Sequence, residues 1–514
     1  MNKLNLIIPM VGGGKRFRRA GYDTYKPFIK IHDKYMIDYV MDPFPSSVTK
    51  YIVTARELLS DEELDYLQKK DQTKVIFVDR HVKGPGYSIL QAKDKLPLNE
   101  AFFFSYCDIA WTWDFNKVQA KLDHDGVVFT HRKFHPHLVG NGNSAFCKPS
   151  REDPEVLEQI KEKGYFTDDW MTEPLSVGAF YVKRGHDLMD ALVEMVEENE
   201  LVNQEFFPSL IFNRLIQKGM SVGLKDVDFF IHWGLPSQLE DFNRWQTILN
   251  SFEDPRKPRE WTNVCTMGGL GSRLRKVSPQ PKALIPLADE VPMFKSVADQ
   301  FGCESNVFVT TGQHAPTVQS WTSDEVFSIG EQTNSQFETI LKAKEAFLHR
   351  KNFFLSCCDG YGHLRVDFPN ALEKDADCIL FTFQPSLLQT SLSGGHYTYV
   401  STKDSYVTDV HIKNRMTEND EGLAGFYFFR DGQIFRELDG VPTDHDHEMC
   451  SDHFVKHLVA KGYKVVAHQL PHYVHLGTPE ELQEFWFWLG HRPVTRSFGL
   501  KRPVTRTVDQ SLPV

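Results

Sequence analysis

The chain repeats itself. Gly12-Gly13-Gly14-Lys15-Arg16-Phe17 stands near the start, with Lys26 ten residues after Arg16. Past the middle stands Gly269-Leu270-Gly271-Ser272-Arg273-Leu274, with Lys282 nine residues after Arg273. The arginines are 257 residues apart and the lysines 256. Further matches follow in the same order. Ser88-Ile-Leu-Gln-Ala-Lys pairs with Thr339-Ile-Leu-Lys-Ala-Lys at an offset of 251, and the runs ending in Asp108 and Asp359 share that offset. Gly178-Ala-Phe-Tyr resembles Gly425-Phe-Tyr. Glu205 and Gly219 match Glu448 and Gly462 at 243, and so do His232 and His475. An offset that shrinks gradually is what loop deletions in a second copy produce. The pattern predicts a tandem duplication and therefore two similar domains.

Each copy reads as strand, Gly-rich turn, helix, strand. In the first copy Leu4–Pro9, Tyr51–Thr54, Val75–Val78, Ala101–Tyr106 and Gly126–Thr130 are expected strands. Helical patterns cover Ser60–Lys70 and Tyr87–Lys95. This alternation predicts an α/β fold, a mixed and mainly parallel sheet flanked by helices on both faces. Ligands in such folds bind at the carboxyl ends of the strands, where the first Gly loop and Asp108 lie. The expected boundaries are 1–252 for the first domain, 253–260 for a charged, proline-bearing linker, 261–490 for the second domain and 491–514 for a tail.

With 39 Phe, 17 Tyr and 9 Trp, the chain can bury large cores. Its net charge of -11 argues against nonspecific binding to nucleic acid or anionic membrane. No apolar run approaches the roughly 20 residues of a membrane helix. Met1–Pro9 has no charged segment followed by a long apolar region, so it reads as a strand and not a signal peptide. The eight cysteines, with no C-x-x-C pair, fit reduced thiols in the cytoplasm.

Both Gly loops carry positive charge: Lys15, Arg16, Arg18 and Arg19 in one, Arg273, Arg275 and Lys276 in the other. Two basic clusters at equivalent places in an acidic chain suggest anion sites. Phe17 and Leu274 stand where a dinucleotide fingerprint needs its third glycine, and neither loop has the Gly-Lys-Ser/Thr of a P-loop. Asp108 and Asp359 end apolar strands, where a charge is costly without a ligand or partner. The His-rich stretches His131–His137 and His445–His453 lack structural-zinc spacing.

The Gly-x-Gly-x-Arg-(Phe/Leu) loop followed about ten residues later by Lys26-Pro27 or Pro281-Lys282 resembles the signature of sugar-phosphate nucleotidyltransferases, also called nucleotide-sugar pyrophosphorylases. The resemblance covers roughly 3–250 and 261–488. The first copy looks closer to branches found in capsule and lipopolysaccharide gene clusters. It implies two tandem Rossmann-like, GT-A-like domains. The implied reaction joins a nucleoside triphosphate to a sugar 1-phosphate, or a similar phosphorylated alcohol, and releases pyrophosphate. Arg16, Lys26, Arg273 and Lys282 would then be catalytic. Gly12, Gly13, Gly14, Lys15, Gly84, Gly269, Gly271, Ser272 and Ser335 would bind nucleotide. Lys163, Glu205, Lys413 and Glu448 would bind the sugar phosphate, with Glu205 and Glu448 opening helices. Asp108 and Asp359 would hold Mg²⁺. His232 and His475 stand where many relatives have a second metal-binding Asp, and imidazole is a poor Mg²⁺ ligand. Nucleic acid and membrane are not expected partners; a homo-oligomer is left open. Two alternatives stay open: one copy is a regulatory or assembly module, or the protein is a GT-A-type glycosyltransferase. The second would want an Asp-x-Asp that Asp108-Ile-Ala and Asp359-Gly-Tyr do not supply.

Overall fold

The computed structural model describes residues 3–138, 144–251, 259–269, 271–288, 290–362, 364, 375–385, 397–443 and 449–492. They form two compact units, one running to Phe242 and taking in His491, the other Asn243–Gly490.

In the first unit, strand Leu4–Pro9 is an unbroken apolar run. Leu6 and Ile8 point into one core and Ile7 into another, the period-2 alternation of a strand covered on both faces. Each such fully buried aliphatic side chain contributes about 1.5–3 kcal/mol. Strands Thr73–Phe77, Thr49–Thr54, Leu4–Pro9 and Ala101–Ser105 lie side by side in that order, all parallel. Leu175–Val182 then pairs antiparallel with Ala101–Ser105 and, along its other edge, with Gly126–His131; at Leu175 it also pairs with Ala145–Pro149, opposite His131. Gly178 makes that double pairing feasible. Its φ of 85° accompanies a register shift between Ser176 and Phe180. A Cβ there would lie 2.5 Å from Tyr106 Cδ2.

The second unit repeats the parallel half with Glu325–Ser328, Cys303–Thr310, Arg259–Thr266 and Lys351–Cys357. Its other half departs from the expected Rossmann-like open sheet. The eleven-residue strand Glu421–Asp431 pairs with both Cys378–Phe383 and Tyr399–Lys403. Val465–Gln469 and Tyr406–His411 join those two through the Tyr406–Val466 pair, so five strands close into a ring. The bend comes at Gly425, with φ 71°, and at the register shift between Leu380 and Thr382. In the first unit the matching closure is a lone bridge, Val156 to Gly223.

Two short ribbons position the sites. Ile109–Thr112 pairs with Phe229–His232, and Gly360–Gly362 pairs with Tyr473–His475. Trp233 N donates to Asp108 O at 2.8 Å and Leu476 N to Asp359 O at 2.7 Å, so each ribbon sets a histidine beside an aspartate.

Helix Asp61–Lys69 is capped by Ser60, whose Oγ accepts from Glu63 N at 3.1 Å. The helix expected over Tyr87–Lys95 begins two residues earlier, at Pro85, and its counterpart in the second unit begins at Gln336. Strand Arg259–Thr266 takes the last two residues assigned to the linker; 252–258 lie outside the described residues. So do the tail beyond Arg492 and residues 444–448, which include Glu448 and much of the second His-rich stretch. Among the described residues no helix is long and apolar enough to cross a membrane.

Candidate functional site

The Gly loops lie directly on the lysine-bearing turns. Gly14 has φ 60°, and a Cβ there would sit 3.2 Å from Lys26 Cβ. Gly271 has φ 56°, and its Cβ would come within 2.4 Å of Lys282 Cβ. Only glycine accepts that conformation and that approach together. Lys26–Phe28 and Lys282–Leu284 are single 3₁₀ turns, each with its proline next to the lysine. They aim the lysines at the strand-end aspartates.

In the first unit Lys26 Nζ is 2.5 Å from Asp108 Oδ2, with both side chains less than a fifth exposed. The ammonium also lies 5.1 Å from the centre of the Phe17 ring. Burial pushes the Asp108 carboxyl up, but the Lys26 ammonium outweighs it and holds it below the ordinary range. Burial pulls His232 down to about 4, against the upward pull of Asp108, so its ring is neutral.

In the second unit Lys282 pairs with Asp359, and His475 Nε2 faces the same carboxylate oxygen at 3.4 Å. Burial raises the Asp359 carboxyl, yet Lys282 and His475 bring it well below the ordinary range. His475 Nδ1 is 2.8 Å from Glu481 Oε2. Burial lowers the imidazole, but Glu481 and Asp359 reverse this and hold it at about 10. Glu481 escaped the sequence reading, although it sits six residues after His475 in a Thr-Pro-Glu-Glu helix start.

Arg16, Arg273, Lys15, Ser272, Gly12 and Gly269 are exposed on the loops, and Arg16 lies near enough to His232 to depress its basicity. Gly84, with φ 90°, packs against the acid expected to bind sugar: its Cβ would meet Glu205 Cβ at 2.8 Å. Ser335 has an extended φ of -150° and instead caps its helix, accepting from Glu338 N at 3.1 Å. Glu205 does not open a helix. It lies in a turn bridged to Val202, ahead of the 3₁₀ turn Pro208–Leu210.

Lys163 and Lys413 share an unusual backbone, φ 55° and 50°, consistent with their expected equivalence. Lys163 Nζ lies 4.6 Å from the centre of the Phe207 ring. The neighbouring Glu162, which the sequence reading passed over, accepts from Ser209 Oγ at 2.5 Å. Burial lifts the Glu162 carboxyl to about 7 despite Ser209 and Lys163. Beside Lys413 the second unit has Ile412. Its carboxylate is Asp452, which accepts from the Tyr427 hydroxyl. The carboxylates near the two lysines therefore lie on different elements, Glu162 at the end of strand Leu157–Glu162 and Asp452 in helix Ser451–Ala460.

Among the described residues no cluster of three or more His, Cys, Asp or Glu side chains is arranged to hold a metal. One carboxylate per unit suits an ion held otherwise by phosphate oxygens and water. Asp108 fits that role. Asp359 fits it less well, because Lys282 and His475 converge on one of its oxygens. The first His-rich stretch is structural: His135 Nε2 contacts Phe230 O at 3.1 Å and His137 Nδ1 contacts His232 O at 3.1 Å, bracing the strand that ends in His232. Burial pushes Cys107 and Cys358 up to about 12, so neither thiol is poised as a nucleophile.

Residues 7–165 match the family model of the MobA-like NTP transferase domain. No curated protein matches the chain. Among solved structures, it is similar to the nucleoside-diphosphate-sugar pyrophosphorylase from Vibrio cholerae RC9, at 20% identity over 46% of this chain and 99% of that one, with a TM-score of 0.40. It is also similar to the inositol-1-phosphate CTP transferase from T. maritima, at 15% identity over 45% of this chain and 97% of that one, with a TM-score of 0.37.

Proposed function

We propose that the chain is a duplicated nucleotidyltransferase. Each unit would join a nucleoside triphosphate to a sugar 1-phosphate or similar phosphorylated alcohol and release pyrophosphate, for use in surface polysaccharide synthesis. The observation that carries this reading is the same three-part arrangement in both units: a left-handed glycine, a lysine beneath it and a strand-end aspartate paired to that lysine. The match of residues 7–165 to an NTP transferase domain supports it.

Such a reaction needs no covalent enzyme intermediate, only alignment and charge neutralisation. The loop backbone would approach the triphosphate, with Arg16 and Arg273 spreading their guanidinium groups over its oxygens. Lys26 and Lys282 would neutralise charge as pyrophosphate departs. Lys163 and Lys413 would hold the acceptor phosphate, and Glu162 or Asp452 would take its hydroxyls. Mg²⁺, resting on Asp108, would neutralise the phosphates and bring them into line. The test is a matrix of the four nucleoside triphosphates against sugar and polyol phosphates, read by pyrophosphate release. No release in any combination would refute the reading.

A further inference from the structure

We infer that Arg80 is a further triphosphate contact of the first unit, and that Glu331 at the matching place makes the second cleft the weaker polyanion site. The inference rests on the nucleotidyl reading above. Arg80 lies on the loop between strand Thr73–Phe77 and helix Pro85–Gln91. A Cβ added to Gly13 would sit 3.4 Å from Arg80 Nη2, so the guanidinium borders the glycine loop itself. The side chain is exposed, and among the described residues it forms no ion pair. Among the described residues Arg80 shares this freedom with the loop arginines Arg16, Arg18 and Arg19 and with Arg151, whereas four other arginines of the unit are committed: Arg56 to Asp61, Arg132 to Asp226, Arg184 to Asp187 and Arg214 to Glu198 and Glu200. Lys26 is likewise engaged with Asp108. A planar fork of donors beside a backbone loop, with no carboxylate of its own, is placed to take an anion seated on that loop.

The second unit reverses this charge. Its loop runs between strand Glu325–Ser328 and helix Gln336–Lys342; the end of the strand and the whole helix are displaced by 251 from their first-unit counterparts. The same offset sets Glu331 against Arg80 and Asn334 against Lys83. Glu331 is exposed, and a carboxylate there repels a polyphosphate that Arg80 would attract.

Inorganic tripolyphosphate tests this without reference to base or acceptor. In the full chain carrying Lys282→Ala, which weakens the second cleft, calorimetry should show Arg80→Ala binding tripolyphosphate about 10-fold more weakly. The salt dependence should become shallower, and Arg80→Lys should recover most of the loss. In a Lys26→Ala chain, Glu331→Arg should tighten binding. Unchanged circular dichroism and melting would confirm that the variants fold. Equal affinity of Arg80→Ala and its parent would overturn the inference while leaving the nucleotidyl reading intact. If the unmutated chain binds neither tripolyphosphate nor any nucleoside triphosphate, the reading and the inference both fall.

Discussion

His475 is clasped by Glu481: Nδ1 lies 2.8 Å from Oε2, while Nε2 faces Asp359 at 3.4 Å. A ring that donates from Nδ1 to one carboxylate and faces a second one at Nε2 is favoured in its charged form. The matching residue of the first unit is Gln238, whose amide oxygen accepts from Leu235 N at 2.8 Å and brings no charge to His232. Two histidines in the same sequence setting are thus pushed in opposite directions: burial lowers His232, with Lys26, His137 and Arg16 adding to it against Asp108, while Glu481 and Asp359 together raise His475.

Glu481→Gln should convert the second site toward the first. Because the folded pKa of His475 lies above its ordinary value of about 6.5, its stabilising contribution is complete below about pH 6.5 and is lost as pH rises through about 10. The variant should lose roughly 2 kcal/mol near neutrality, the scale of one hydrogen bond to a charged group. Its stability should also depend less on pH across that window. NMR titration of His475, with melts at several pH values, would check both. An imidazole that still titrates near pH 10 in the variant would refute the assignment.

Gly84→Ala should destabilise the first unit by about 1–3 kcal/mol, since φ of 90° is strained for any L-residue and the added Cβ meets Phe206 N at 2.9 Å. Ser335→Gly should cost much less, because Ser335 is already extended and loses only its helix cap. Denaturant melts of the two variants would separate the cases.

Chelation of divalent ions should abolish pyrophosphate release, and Mg²⁺ should restore it. Asp108→Asn should weaken that restoration, because an amide is a poorer ligand and leaves Lys26 without its carboxylate. Full activity in excess chelator would remove Mg²⁺ from the mechanism.

The parallel half of each sheet was legible because buried strands are continuous apolar runs, as in Leu4–Pro9, and because the Gly loops that follow them are unmistakable. The lysines and the strand-end aspartates stood out through recurrence, but their pairing did not: the sequence reading assigns the lysines to a triphosphate and the aspartates to a metal, and the structure joins them across 82 and 77 positions. The ring in the second unit was not, since it depends on a strand bending at Gly425 to serve two partners, a tertiary choice with no local pattern. Glu162 and Asp452 were missed for a related reason. They stand at positions that do not correspond between the copies, so alignment of the copies hides them. Arg80 lacked any motif, and its meaning came only from its approach to Gly13.

The division of labour between the units is the last expectation. Lys26→Ala should impair one reaction and Lys282→Ala another, because each ammonium is bonded to the aspartate of its own unit. Removing such a charge from a desolvated transition state should cost about 10²–10³ in rate, or roughly 3–4 kcal/mol. We expect different substrates because the two copies differ at corresponding places: Gly84 against Ser335, Arg80 against Glu331, Glu162 against Ile412, and His232 lowered by burial against His475 raised by Glu481 and Asp359. Identical sites would need none of these. Steady-state kinetics of both variants on every active substrate pair would decide the matter. If one variant loses every reaction and the other none, the silent unit is regulatory and the bifunctional reading is wrong.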